Sequence, residues 1–272
     1  MATARPQLSD SARIELIEEI PRRVLGACPI CGDPATEEEH VPPLAMGGAK
    51  MTLTCARCNN SLGSYVEADL ADWYENVFSV TRFSAPGIQG YRNTGPMPLR
   101  WTPEGEFVLL LSGRKIDPAV DDMLRGGEVE LHVTPPNENR YRLGLLKQSY
   151  LAACLQFGFL ESEAGDLVRR ELLAARDAVS RRDVPISPLA WGLTVYRHHE
   201  TRRLTSAPLV RALAHSEEES IEGVLLAGRV FVSWSSRVDP DRPPCREPEP
   251  FQVRLQVGEP TNGTVSSVTE DE

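Results

Sequence analysis

The sequence predicts an α+β fold, in which a small ββα unit precedes a larger mixed region. Two C-x-x-C pairs, Cys28 with Cys31 and Cys55 with Cys58, bracket two short segments of strand-like composition. Apolar residues at helical spacing follow the second pair, and strand-like and helix-like stretches are both present beyond residue 80 without an internal repeat. We therefore divide the chain into a ββα unit over 1–80, an α+β region over 81–257, and an acidic tail over 258–272 that we expect to be disordered.

The first predicted element is a short helix over 9–24. Ser9 or Asp10 can cap its N-terminus, and Pro21 is expected to end it. The spacing of the apolar residues gives this helix one apolar side, made of Ile14, Leu16, Ile17 and Ile20.

The ββα unit is predicted from the residues between and after the cysteine pairs. A first strand covers 37–44, Gly47 and Gly48 form a turn, and a second strand covers 51–54. A helix is predicted over 61–78, where apolar residues recur every three or four positions.

The region beyond residue 80 carries weaker patterns. Gly and Pro make 81–100 a predicted linker, and five prolines make 238–250 a predicted loop. The remaining elements are predicted strands over 106–112, 128–133, 189–196 and 223–234, and predicted helices over 140–159 and 163–179.

The overall composition is that of a globular protein. The hydrophobic fraction of 41% and the charged fraction of 25% exclude a collagen-like or wholly disordered chain. No window has the roughly 18 uninterrupted apolar residues of a membrane span, and residues 1–19 lack the apolar stretch of a signal peptide. We expect a cytoplasmic protein with no membrane partner. Three lysines against 26 arginines are typical of a GC-rich bacterial genome.

Cysteine spacing predicts a metal site. In a chain without an export signal, close cysteine pairs indicate metal binding before they indicate disulfides. Two pairs separated by 23 residues can place four thiolates around Zn²⁺ at about 2.3 Å each. A redox C-x-x-C is the alternative for either pair alone. We expect a structural zinc held by Cys28, Cys31, Cys55 and Cys58.

Glu39, His40 and Asn59 are candidate catalytic residues. A neutral imidazole at His40 can accept a proton from water, and the oxygens of Glu39 and of Asn59 suit Mg²⁺ or Mn²⁺. Structural alternatives remain for each residue. His40 could pack under the zinc loop, Glu39 belongs to a solvated charge run, and Asn59 could cap the helix, with Asn60 as the second choice of ligand.

These residues together resemble the HNH endonuclease family, in the subset whose ββα-metal fold is braced by two C-x-x-C pairs. The resemblance covers 28–63: C-x-x-C-G, then Glu39-His40-Val41-x-Pro, Gly-Gly, and Cys55-x-x-Cys58-Asn59.

The resemblance implies that His40 activates water, that Glu39 and Asn59 hold one divalent ion, and that the four cysteines hold structural zinc. Lys50 stands where the family often has an asparagine, and it is a candidate phosphate contact. Glu39 stands where aspartate is more common.

The charge pattern limits how the chain would bind nucleic acid. The formal net charge is -10 at pH 7, with net -6 over 1–80, +3 over 81–215 and -7 over 216–272. Electrostatic attraction to a polyanion would therefore come mainly from the middle segment. Its candidate residues are Arg169, Arg170, Arg176, Arg181, Arg182, Arg197, Arg202 and Arg203. The alternative is that these arginines form a solvated face.

Two functional hypotheses follow. The first is a metal-dependent HNH-type endonuclease that acts on double-stranded DNA, in bacterial defence or in a mobile element. The second is a non-catalytic zinc-binding module that recognises nucleic acid or a protein. A second, weaker divalent-ion site would distinguish the nuclease from the binding module.

Overall fold

A computed structural model describes 13–75, 77–78, 80–84, 89–90, 92–93, 97–101, 107–109, 127–198, 203–215, 219–234 and 251–257. The fold is mixed α+β, and it comprises two compact units. The first is formed by 1–71 together with 139–246, and the second by 72–138 together with 247–272. The first unit thus contains segments from both sides of the boundary predicted at residue 80. The predicted loop over 238–250 and tail over 258–272 lie outside the described residues.

The first unit begins with strands β1 (Arg13–Glu19), β2 (Glu37–Val41) and β3 (Ala49–Thr54). The second unit contains β4 (Val77–Phe78), β5 (Val80–Ser84), β6 (Arg92–Asn93), β7 (Met97–Trp101), β8 (Phe107–Leu109) and β9 (Gly127–Thr134). The first unit continues with β10 (Val195–Arg197), β11 (Leu209–His215), β12 (Ser220–Leu226) and β13 (Val230–Ser233), and β14 (Phe251–Val257) returns to the second. The α-helices are α1 (Ala56–Leu62), α2 (Ala68–Glu75), α3 (Glu138–Phe157), α4 (Glu163–Arg176) and α5 (Pro188–Trp191).

The predicted ββα arrangement is present in the first unit. Strands β2 and β3 pair antiparallel, and a 3-10 turn over Leu44–Met46 followed by Gly47 connects them. Gly47 adopts φ 85, a left-handed conformation that glycine adopts at little cost. Helix α1 follows directly, and a π-helical turn over Gly63–Glu67 joins it to α2. The helix therefore begins five residues earlier than the sequence pattern predicts.

A five-stranded antiparallel sheet forms the other part of the first unit, in the order β1-β11-β12-β13-β10. Alternating residues of β11 enter one hydrophobic cluster with residues of β12 and β13. The members of this cluster are Ala207, Val210, Ala212, Ala214, Ile221, Leu225 and Phe231.

The helix predicted at the N-terminus is wrong over the described residues, because 13–19 form strand β1. The strand pairs with β11 and contains an irregularity between Leu16 and Glu18. Its acidic residues contact β11 side chains: Arg211 Nη1 lies 2.9 Å from Glu18 Oε1, and His215 Nε2 lies 3.0 Å from Glu15 Oε2. Pairing across the sheet, which no local pattern reveals, outweighs the helical spacing of the isoleucines.

Three other predictions are corrected by the structure. Residues 223–234 form a hairpin of β12 and β13, because Ala227 and Gly228 turn the chain with φ 49 and φ 67. Residues 189–196 divide between α5 and β10, since Ser187 caps a helix that Pro188 begins. The predicted linker over 81–100 contains strands β5, β6 and β7.

The two long helices α3 and α4 confirm the helical predictions over 140–159 and 163–179. Ser162 caps α4 by accepting a hydrogen bond from Gly165 N at 3.1 Å. Helix α3 is buried from Leu143 to Leu155 on every side, including the polar residues Lys147, Gln148 and Ser149. A helix buried all round forms the centre of a core, so these polar groups need partners within it.

The second unit is formed by two antiparallel sheets. One has the order β14-β9-β5-β6, and the other has the order β4-β7-β8. Within the described residues of the chain, no helix combines the length and apolarity that a membrane span requires.

Candidate metal centre and the adjoining hairpin

The four predicted cysteines form one cluster. Their Sγ atoms all lie within 4.8 Å of one another, and Cys31 Sγ is 3.4 Å from Cys55 Sγ. Cys28, Cys55 and Cys58 are buried, and Cys31 is partly exposed. Four sulfurs at this spacing fit the tetrahedral thiolate site of a structural zinc ion, whose Zn–S distance is about 2.3 Å. The cysteines are positioned to hold a metal ion, consistent with zinc.

Local backbone geometry shapes each cysteine pair. In the first pair, Gly32 adopts φ 82 and its N–H donates to Cys28 O at 2.8 Å, while Cys28 N donates to Asp33 O at 2.7 Å. In the second pair, Cys55 is the N-cap of α1 and its Sγ accepts from Cys58 N at 3.4 Å. A hydrogen bond with Cys58 lowers the pKa of Cys28 to about 5. A thiolate at this position is the form that binds a metal.

Helices α3 and α4 support both cysteine pairs. Tyr150 Oη donates to Pro29 O, inside the first pair, at 2.8 Å, and Arg169 Nη1 lies 3.4 Å from the same hydroxyl. Arg176 Nη1 lies 3.6 Å from Cys58 Sγ. Burial raises the pKa of Tyr150, which keeps its proton available for this bond. The metal centre is therefore enclosed by residues more than 90 positions later in the chain.

Strand β2 presents its successive side chains to opposite environments. Glu39 is 2% exposed and Val41 is fully buried, whereas Glu38 is exposed and His40 is partly exposed. This alternation follows from the two-residue period of a strand. Glu39 and His40, which the sequence places side by side, thus lie on opposite faces of the hairpin.

The inner face of the hairpin contains a buried ionic cluster. Lys147 Nζ, on α3, lies 3.0 Å from Glu39 Oε1 and 2.8 Å from Glu67 Oε1. The other oxygen of Glu39 accepts a hydrogen bond from Thr54 Oγ1 at 2.9 Å, and Gln148 Nε2 donates to Glu67. Lys147 is completely buried.

Charge balance in this cluster explains its pKa shifts. Burial alone would lower the pKa of Lys147, but the charges of Glu67 and Glu39 raise it above the ordinary value. Burial raises the pKa of Glu67, and Lys147 opposes that shift. The lysine therefore stays charged, and it stabilises negative charge on two carboxylates that would otherwise be costly to bury.

The outer face of the hairpin contains His40, Lys50 and Glu38, and Asn59 on α1 contacts the backbone of β2. His40 and Lys50 are direct cross-strand partners, so their side chains belong to one face. Lys50 forms an exposed ion pair with Glu38, which lowers the pKa of Glu38. Asn59, on α1, donates from Nδ2 to Glu38 O at 3.5 Å. This contact leaves the side-chain oxygen of Asn59 as its remaining ligand atom.

The outer face thus brings together His40 and Lys50, Asn59 contacts the backbone of β2 from α1, and the inner face holds Glu39. The roles predicted for them stay predictions. Glu39 as a ligand would require a divalent ion to reach a carboxylate that Lys147 and Thr54 already contact.

Lys147 and Glu67 are the important residues that the sequence analysis missed. The available signal was a lysine inside the apolar run of 143–155 in a chain that has three lysines. Because a lysine is rarely buried without a partner, this position predicts a buried carboxylate nearby. Periodicity alone could not have identified Glu39 and Glu67 as those carboxylates.

Many of the arginines predicted to attract a polyanion have structural partners instead. Arg169 pairs with Asp166, Arg176 with Asp177, and Arg181 with Asp69. The first two pairs are local to α4 and its C-cap, and the third joins the 3-10 turn Arg181–Asp183 to α2. Arg202 lies outside the described residues.

Comparisons of the chain with protein-family models, with curated proteins and with solved structures found no match.

Proposed function

We propose that the chain is a metal-dependent HNH-type endonuclease that hydrolyses phosphodiester bonds in DNA. The observation that carries the proposal is a ββα hairpin, braced by four clustered cysteines, whose outer face presents a partly exposed His40 beside Lys50. In this proposal, His40 removes a proton from the attacking water. Lys50 is the candidate contact for the scissile phosphate, after exchanging Glu38 for that anion.

The ligands proposed for the divalent ion differ in how well they fit. The side-chain oxygen of Asn59 suits Mg²⁺ or Mn²⁺ and lies on the helix packed against β2. Glu39 is buried, and its two oxygens accept from Lys147 and Thr54, so it does not fit as a ligand without a rearrangement. A bound divalent ion would neutralise charge on the phosphate and on the leaving oxygen. The remaining chemistry falls to His40 and Lys50.

A plasmid assay tests the proposal. Purified protein is incubated with supercoiled plasmid and either Mg²⁺ or Mn²⁺, and nicked and linear products are quantified. We expect His40→Ala to lower the rate by at least about 100-fold, because general-base catalysis contributes roughly that much. Zinc content should be unchanged. The matched control is His215→Ala, which removes a histidine bound to Glu15 at the edge of the sheet.

Two results would overturn the proposal. One is the absence of cleavage by the wild-type chain across the metal panel. The other is cleavage by His40→Ala at the rate of His215→Ala, which would show that the imidazole of His40 takes no part.

The buried ion pair of Glu39 favours a second candidate function, a non-catalytic zinc-binding module that recognises nucleic acid or a protein. Calorimetric titration of the zinc-loaded protein with Mn²⁺ separates the two candidates. The nuclease should bind a second, weaker ion that Asn59→Ala weakens, whereas the binding module should bind none. Glu39→Gln in the same titration reports whether Glu39 releases Lys147 to bind the ion.

A further inference from the structure

Arg203 reaches the turn that connects the two strands of the hairpin. Its Nη2 and Nη1 atoms lie 2.7 and 3.0 Å from the position that a Cβ on Gly47 would occupy. A side chain at residue 47 would displace the guanidinium from this position, and φ 85 at Gly47 is a conformation that favours glycine. The guanidinium therefore lies against the backbone of the turn.

The backbone of Arg203 is held at the turn between β12 and β13. Leu204 N donates to Gly228 O at 3.0 Å, and a Cβ on Gly228 would lie 3.1 Å from Cβ of Arg203. The backbone of Arg203 thus lies at the turn between β12 and β13, and its guanidinium lies at the turn that contains Gly47. A guanidinium held in this way loses little conformational entropy when it binds an anion.

Arg203 has no ion-pair partner among the residues that the structure describes, and it is exposed. It differs in this respect from Arg176 and Arg181, which contact aspartates. An ordered, exposed guanidinium without a carboxylate is available for an external anion, and its planar fork matches the oxygens of a phosphate.

Other cations lie on the outer face of the hairpin, near Glu38. Lys50 comes three residues after Gly47, so the two positions are at most about 10 Å apart along the strand. Arg22 is close enough to contribute to the lowered pKa of Glu38, together with Lys50 and His40. Glu38 is the acidic group whose pKa Lys50 and Arg22 lower, so it offsets part of this positive charge.

We propose that Arg203 is a phosphate-binding residue that holds the backbone of a nucleic-acid strand next to His40. The inference deepens the proposed nuclease function and rests on it. The phosphate bound by Arg203 is a neighbour of the scissile phosphate and not the reacting group. Arg203 therefore strengthens substrate binding without entering the chemical step. It also supplies the hairpin with a cation from a segment about 150 residues later in the chain.

Binding and cleavage measured on four full-length variants test this role. Binding of a fluorescent 20-base-pair duplex is measured by anisotropy in the His40→Ala background, with and without Arg203→Ala. The matched control is Arg13→Ala, which removes an equal charge from an exposed position on β1, at the end of the sheet away from the turn between β12 and β13. Arg203→Lys tests whether charge alone suffices.

We expect Arg203→Ala to raise Kd about tenfold and to reduce the slope of log Kd against log salt by about one. In plasmid cleavage, KM should rise with kcat unchanged. Arg13→Ala should leave Kd within about twofold. Arg203→Lys should recover part of the loss, because lysine keeps the charge but not the planar fork of the guanidinium.

The outcomes separate this inference from the function on which it rests. If the wild-type chain cleaves and Arg203→Ala behaves as Arg13→Ala does, the phosphate role of Arg203 is wrong and the nuclease stands. If Kd depends on Arg203 but no metal supports cleavage, the phosphate site stands and the nuclease is wrong. A fall in kcat with unchanged KM would also overturn the inference, because it would place Arg203 in the chemical step.

Discussion

Glu39 and His40 are consecutive residues, yet Glu39 lies in a buried region of the hairpin and His40 in a region that solvent reaches. On the inner face of the hairpin, Glu39 is 2% exposed and contacts a completely buried lysine. On the outer face, His40 is partly exposed beside Lys50, which is 53% exposed in its ion pair with Glu38. The same lysine–glutamate chemistry therefore occurs twice, once without solvent and once in it.

The difference shows that position relative to the sheet determines what a charged residue does. Solvent screens the pair of Lys50 and Glu38, which leaves Lys50 able to exchange its partner for a phosphate. Lys147 and Glu39 have no solvent to replace either partner, so separating them is costly. The inner pair serves to hold β2 against α3, and the outer pair remains open to ligands.

Removal of the metal should unfold the hairpin and so disrupt its inner and outer faces together. This is the largest effect that we expect. Structural zinc contributes roughly 10 to 16 kcal/mol of apparent binding free energy in small zinc domains. Chelation should therefore release the hairpin from α1, and amide exchange should rise throughout β2 and β3. Hydrogen-exchange mass spectrometry with and without chelator measures this change.

A cysteine outside the cluster provides the control for that experiment. Cys154→Ser should retain its metal, whereas Cys58→Ser should lose it. Full amide protection of the hairpin after chelation would contradict a structural role for the metal.

Lys147→Met should be the most damaging change on the inner face. It leaves Glu39 and Glu67 buried without a cation, and we expect a loss of about 3 to 5 kcal/mol in the free energy of unfolding. Burial raises the pKa of Glu67 in the folded state above the unfolded value, and without Lys147 nothing opposes that shift. The unfolded state then binds fewer protons, and stability falls as pH rises above about 4.3.

Urea denaturation at pH 5 and pH 8 measures this effect, and the loss should be larger at pH 8. The double variant Glu39→Gln with Lys147→Met should recover part of the stability, because it removes one of the two buried charges. An equal loss at both pH values would contradict the charge argument and would indicate lost packing alone.

Thr54→Val should have an intermediate effect. It removes the hydroxyl that donates to Glu39 Oε2, and a hydrogen bond to a charged group contributes about 1.5 to 3 kcal/mol. Thr52 provides a matched control, because its buried hydroxyl has no hydrogen-bond partner in the described part of the chain. Thr52→Val should be neutral or stabilising in the same denaturation experiment. A loss of equal size in both variants would show that the valine shape, and not the hydrogen bond, is responsible.

Lys50→Met should have the smallest effect on stability, because its ion pair is exposed and screened by solvent. Its effect should appear in plasmid cleavage instead, as a lower kcat/KM, because Lys50 is the proposed contact of the scissile phosphate. The same denaturation experiment on Lys147→Met allows the stability losses of the two lysine variants to be compared directly. A stability loss as large as that of Lys147→Met would show that the outer face is as constrained as the inner one.

The sequence predicted the local parts of this molecule well. The cysteine pairs, the two strands between them and the long helices α3 and α4 are each determined by residues close in sequence. The cysteine cluster is confirmed as a candidate metal site. Strand β1 could not be predicted, because its conformation depends on pairing with β11, some 200 residues away. The inner environment of Glu39 depends in the same way on Lys147, which lies 108 residues later.

The discontinuous first unit determines how this protein could be shortened. A fragment that ends at residue 80 would keep all four cysteines, but it would lose Lys147, Tyr150 and Arg176 from around them. Glu39 would then face solvent or a mismatched neighbour. A minimal version that keeps the hairpin intact would instead join residue 71 to residue 139 through a linker and continue through β13. A chimaera made by joining residues 1–80 of this chain to the remainder of another protein should express poorly, because the hairpin would be separated from Lys147, Tyr150 and Arg176.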